Sequence, residues 1–178
     1  LDPGDTEHDV LFGSGQAADS TAAAYLSTNA GMTKQIDAPW AVGDAAGGMF
    51  AGAVAADTWY HMFAIEKDSD SSVDFGFDTS VVAANIPAGY TKYRRIGSVL
   101  TDATSNIRPY FQVGGYFGWE LYVRDTALSG STAGANIGPL SVPPDVRVLA
   151  DLNITYTQGA TASYLDILAG EVTESPAG

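Results

Sequence analysis

Short apolar runs separated by clusters of turn-forming residues, with almost no helical periodicity, constrain this chain more than any other feature. An amphipathic helix needs apolar residues at i, i+3, i+4 and i+7, whereas runs of roughly four to eight residues between Gly, Pro, Asn and Ser clusters suit strands. The spacing predicts strands at Asp9–Phe12, Ala23–Thr28, Thr33–Ile36, Thr58–Glu66, Ser72–Asp78, Lys92–Leu100, Ile107–Val113, Tyr116–Val123, Asp145–Thr157 and Ser163–Leu168. That many short strands predict an all-β fold, an antiparallel β-sandwich of jelly-roll type with long loops.

The chain has no cysteine, so burial and strand hydrogen bonds must hold such a fold without disulfides. Its 178 residues, 46% hydrophobic, suffice for one substantial core, and a single domain over residues 1–178 is expected. Gly47-Gly48, Ala88-Gly89, Gly114-Gly115 and Gln158-Gly159 read as turns, and Pro143-Pro144 as extended backbone ahead of a strand. Asp125 to Pro139, small and polar without periodicity, reads as a long loop, and residues 1–8 and 172–178 as frayed or linking ends.

Trp59 to Ile65 departs from simple alternation: Trp59, His61, Phe63 and Ile65 would share one face, and Tyr60, Met62 and Ala64 the other. Both faces are largely apolar. Such a strand is covered either by a second layer of its own chain or by a neighbouring subunit.

A formal charge of −13 opposes sequence-independent binding to nucleic acid and to anionic membrane surfaces, both of which require clustered Lys and Arg. No apolar run is long enough to span a bilayer. Against this background Lys92, Arg94 and Arg95 gather three of the eight basic side chains in one predicted strand. Strict alternation would set Lys92, Arg94 and Ile96 on one face and Tyr93, Arg95 and Gly97 on the other. At least one arginine should then face inward or a neighbouring subunit, where its fork needs acceptors. Arg94 and Arg95 are therefore candidate surface or subunit contacts.

No motif points to catalysis. His8 and His61 lack local partners, and there is no GxSxG elbow, so a lone strand histidine reads as a core residue. Asp68, Asp70 and Asp74 supply the oxygen ligands that calcium uses, but without EF-hand spacing they read first as a solvated turn and secondarily as a cation site. Glu66, Glu120, Asp166 and Glu171 stand near predicted strands without forming an evident pair for glycoside hydrolysis. The glycine pairs match no phosphate-cradling loop, and no cofactor is expected. In Tyr116 to Val123, alternation puts Phe117, Trp119, Leu121 and Val123 on a core stripe. Tyr116 and Tyr122 then fall on the opposite face, as candidates for contact with a glycan or another subunit.

The runs TKQIDAPWAVG (Thr33 to Gly43), DTWYHMFAI (Asp57 to Ile65), VDFGFDTS (Val73 to Ser80), IPAGYTKYRRIGSVLTDATSNIRPYFQ (Ile86 to Gln112) and VPPDVRVLADLNI (Val142 to Ile154) resemble, in this order, a family of tailed-bacteriophage and prophage tail-fibre or fibre-like virion proteins. The resemblance extends from about Thr33 to Leu168. Its most specific element comprises Gly89, Tyr90, Thr91, Arg94, Arg95, Ile96, Gly97, Ser98, Asn106 and Ile107. It implies a non-enzymatic structural protein located in the virion, in a tail fibre or on the capsid surface. The implied partners are other virion proteins, further copies of the chain in a trimer, and a glycan or protein of the host cell surface. Host attachment is the implied task, with capsid decoration or tail stabilisation as the alternative.

Overall fold

A computed structural model describes residues 1–113, 116–121 and 141–145. The fold is all-β. Almost all the described residues belong to one compact unit, Leu1–Val123 with Pro143–Val146. The predicted strands Asp145–Thr157 and Ser163–Leu168, the loop Asp125 to Pro139 and the end at 172–178 lie, apart from Asp145, outside the described residues.

Ten strands are described: β1 (Asp9–Phe12), β2 (Gly15–Ala18), β3 (Tyr25–Thr28), β4 (Met32–Pro39), β5 (Ala46–Met49), β6 (Trp59–Lys67), β7 (Val73–Asp78), β8 (Tyr90–Leu100), β9 (Tyr110–Val113) and β10 (Tyr116–Trp119). Six form a curled sheet in the order β1-β4-β5-β7-β6-β8, while β2 pairs with β3 and β9 with β10. A main sheet with smaller sheets is consistent with a β-sandwich. The main sheet is mixed, however, because β5 lies parallel to both β4 and β7. An all-antiparallel sheet is not what forms.

The parallel strand is the one that turn chemistry concealed. Gly47 and Gly48 lie in β5, buried, and not in a turn. A Cβ on Gly47 would sit 2.0 Å from the Pro39 carbonyl oxygen, and one on Gly48 would sit 2.7 Å from the Phe77 ring. Glycine serves here to let backbone approach backbone and ring, and positive φ is not involved. Gly89, by contrast, takes φ 85° ahead of β8, as a turn residue should.

The core has two parts, one on each face of β6. Tyr60, Met62 and Ala64 pack with Val10, Phe12, Leu26, Ile36, Met49, Phe75, Phe77, Val99 and Ile107. Phe63 and Ile65, both at 0% exposure, pack with Ala83 and Tyr90 against Trp40, Phe50, Ile86 and Tyr93. Each buried Val, Leu, Ile, Phe or Met among them contributes about 1.5–3 kcal/mol. The two-sided apolar pattern of Trp59 to Ile65 is thus covered within the chain, without a neighbouring subunit.

The opening residues are pinned, not frayed. Asp2 donates its N–H to Asp9 and accepts the Thr33 hydroxyl, while the His8 and Glu7 carbonyls accept Ile36 N–H and Ile107 N–H. Residues 1–8 therefore tie β4 to the segment following β8.

Candidate functional site

A one-residue bulge in β8 sets the site. Met62 pairs with Gly97 and Phe63 with Arg95, so Ile96 is the extra residue. Strict alternation would put Arg95 and Ser98 on opposite faces; the bulge returns both to the face carrying His61 and Phe63. Arg94 stays on the other face with Lys92, and Gly97 joins it there instead of sharing a face with Arg95. The division of the two arginines between faces holds, because both precede the bulge and alternation between them is undisturbed.

Arg95 is half-buried and donates from Nη1 to Ser98 Oγ at 3.0 Å. Ser98 Oγ also lies 2.9 Å from His61 Nδ1. His61 is 1% exposed, and its Nε2 is buried without a hydrogen-bond partner. Burial, reinforced by the Arg95 charge, pushes the imidazole below its ordinary value of 6.5.

Asp78 stands opposite His61 on the other neighbouring strand, so Asp78, His61 and Ser98 form a row across β7, β6 and β8. The row is not a hydrolytic triad. Asp78 accepts Ser80 N–H, Asn85 N–H and Asn85 Nδ2, and Ser98 is 2% exposed. A triad needs the nucleophile on one imidazole nitrogen, the carboxylate on the other, and access for substrate. Its side-chain bonds run between His61 and Ser98, from β6 to β8, while the Asp78 carboxylate fastens the turn after β7.

The outer edge of β8 is where side chains meet solvent. Tyr93, Arg94 and Arg95 line an open groove of about 290 Å3 with Ser20, Val81 and Val82. Three contacts place its walls. Ser20 donates its N–H to the Tyr93 carbonyl at 2.7 Å. The Tyr93 ring stands edge-on to Phe63, with centroids 5.8 Å apart. Asp19 organises the loop carrying Ser20 by accepting the Thr21 hydroxyl and the Ala23 and Ala24 amides, and these bonds hold its carboxyl down at about 2.

The groove's cations are unusual for this chain. Six Lys and Arg side chains fall among the described residues, and Lys34, Lys67, Lys92 and Arg108 each face a carboxylate. Arg94, which is exposed, and Arg95 make no ion pair among the described residues. Desolvation, with repulsion from Arg94, lowers the Arg95 guanidinium from its ordinary value.

The acidic turn does not converge on a cation. Asp68 accepts Thr91 N–H and its hydroxyl, and Asp70 accepts Ser72 N–H and its hydroxyl beside Lys67. Asp74 faces the buried Lys34. No group of three or more metal-ligating side chains occurs among the described residues. Glu66 is buried and pairs with Lys92, and Glu120 is exposed; Asp166 and Glu171 lie outside the described residues.

Tyr116 opens β10 opposite Val113, and Tyr122 lies outside the described residues. Phe117 and Trp119 pack with Trp59 and with each other, and Phe117 stacks on Tyr110, so the predicted stripe forms an aromatic cluster, half-buried and outside the two core clusters. The stripe stops there, since Leu121 is 74% exposed. The aromatic residue that lines the groove is Tyr93, whose only sequence signal was its place two residues from Arg95. Ser20, Val81 and Val82 carry no such signal, because they reach the groove from distant loops.

No family model, curated protein or solved structure matches this chain.

Proposed function

We propose that this chain is a structural protein of a tailed-phage virion, a fibre or spike module that attaches to the host surface without turnover. The observation that carries this reading is the placement of the motif residues Arg94 and Arg95: both line an open groove, and neither has an ion-pair partner among the described residues. A purely structural arginine in a chain with 21 acidic residues would be expected to take a carboxylate, as Arg108 takes Asp57. The likeness of Gly89 to Ile107 to fibre-like proteins supplies the virion context.

Adhesion would be multivalent. A trimer presenting three grooves converts weak single-site contacts into firm attachment through effective concentration. The strongly acidic surface keeps nonspecific sticking low.

Cell-surface binding by the purified chain, competing with adsorption of the particle that carries it, is the expected result. Binding only to assembled capsid or tail lattice overturns the reading. It would favour the architectural alternative, decoration or stabilisation of the particle, which the exposed side chains of Tyr25, Val42 and Leu121 suit.

A further inference from the structure

The groove at the outer edge of β8 has a chemistry of its own. It lies along β8, the edge strand of the main sheet, where Arg94 from one face and Arg95 from the other both reach the lining, and guanidinium forks match planar oxyanions through paired N–H donors. The lining also includes Tyr93, whose ring makes a T-shaped contact with Phe63, and the apolar pair Val81 and Val82, the latter 58% exposed. The volume of about 290 Å3 sits at the lower edge of the range for small-molecule sites, roughly 300–1,000 Å3. The site therefore suits a single ring, not an extended chain.

We propose that this groove binds a sugar ring bearing a carboxylate. The acid group would lie between Arg94 and Arg95, and the C–H face of the ring would pack on Tyr93 and Val82. It deepens the attachment reading, and rests on it only for the choice of a sugar as the bearer of the carboxylate; the requirement for an anion follows from the two arginines alone. Arg94, exposed and without an ion pair among the described residues, supplies the charge that is free to move onto a ligand. Arg95, tethered to Ser98 Oγ, supplies the fixed one. Asp19 contributes by holding Ser20 at the rim.

The test is an NMR titration of the full chain, following the backbone amides of Ser20, Val82 and Tyr93 to Arg95. Its probes are methyl glucuronide, methyl glucoside, acetate and inorganic phosphate. Saturable shifts with methyl glucuronide are expected, in a range on the order of millimolar for one site. Methyl glucoside, acetate and phosphate should each bind at least about ten-fold more weakly, as should methyl glucuronide to Arg94→Gln. Arg94 is exposed, so an unchanged Tm in Arg94→Gln verifies that the fold survives. Rising salt should weaken binding.

Equal affinity for methyl glucoside and methyl glucuronide, or full binding by Arg94→Gln, overturns the proposal. Acetate or phosphate binding as tightly as the glucuronide overturns the sugar and leaves a general anion site. Because no cells are involved, failure of cell attachment leaves a positive glucuronide titration standing. Absence of glucuronide binding overturns the proposal, and retained cell attachment in that case leaves the attachment reading standing.

Discussion

Lys34 and Asp74 form an ion pair buried from solvent, with Nζ 3.0 Å from Oδ1 and side-chain exposures of 0% and 4%. The ammonium also donates to the Ala41 and Gly43 carbonyls, and the carboxylate accepts Gly43 N–H and Phe75 N–H. This pair fastens the 40–45 loop between the parallel strands β4 and β5.

Removing one partner leaves an uncompensated buried charge. Lys34→Ala is expected to destabilise by about 3–5 kcal/mol. A denaturant double-mutant cycle with Lys34→Met and Asp74→Leu should show the two losses to be non-additive by at least about 1 kcal/mol. Additive losses would mean that the charges do not interact.

His61 should make stability pH-dependent near neutrality. Burial and the Arg95 charge depress the folded-state imidazole, so the unfolded chain binds the proton first. Stability is full above the ordinary value of 6.5, falls as pH drops from there towards the depressed folded value, and levels off below it. Denaturant midpoints measured across this window should decline in the wild type and flatten in His61→Gln. An unchanged slope in the variant would contradict this origin.

Asp19 acts at lower pH and with a separate signature. Its carboxyl, lowered from 3.8 to about 2 by the Thr21, Ala23 and Ala24 bonds, contributes stability above 3.8 that disappears as pH falls through about 2. Asp19→Asn should reduce that part of the acid dependence, and NMR should show Ser20 N–H released from Tyr93. A Ser20 amide that stays protected would remove Asp19 from groove construction.

Gly47→Ala tests the close approach of β5 to β4. The new methyl would meet the Pro39 carbonyl at 2.0 Å, which only a backbone shift relieves. A loss of about 1–3 kcal/mol or more is expected from thermal or denaturant unfolding. A neutral result would show that the parallel pair is spaced more widely.

Much of the architecture was legible in strand chemistry. β1 coincides with its predicted bounds, and β4, β6, β7 and β8 differ from theirs by no more than a few residues, because Val, Ile, Phe and Tyr alternate there between turn residues. β2 and β5 escaped, since GQAA and AGGM have neither β-branched side chains nor a readable period. The candidate site was half legible. Arg94 and Arg95 stood out by charge, but the partners of the three aspartates in the acidic turn did not, since Lys34 is forty residues from Asp74 in the chain.

Local residue chemistry by itself determined that this protein is built of strands, that β6 is buried on both faces, and that the neighbours Arg94 and Arg95 leave their strand on opposite faces. Only the tertiary structure decided that β5 runs parallel to its neighbours, that β6 is covered by its own chain, and that a one-residue bulge sets Arg95 beside Ser98 and His61. The reason is physical. Alternation and turn propensity act over a few residues, whereas register, close glycine contacts and buried charge pairing are settled by segments meeting in space.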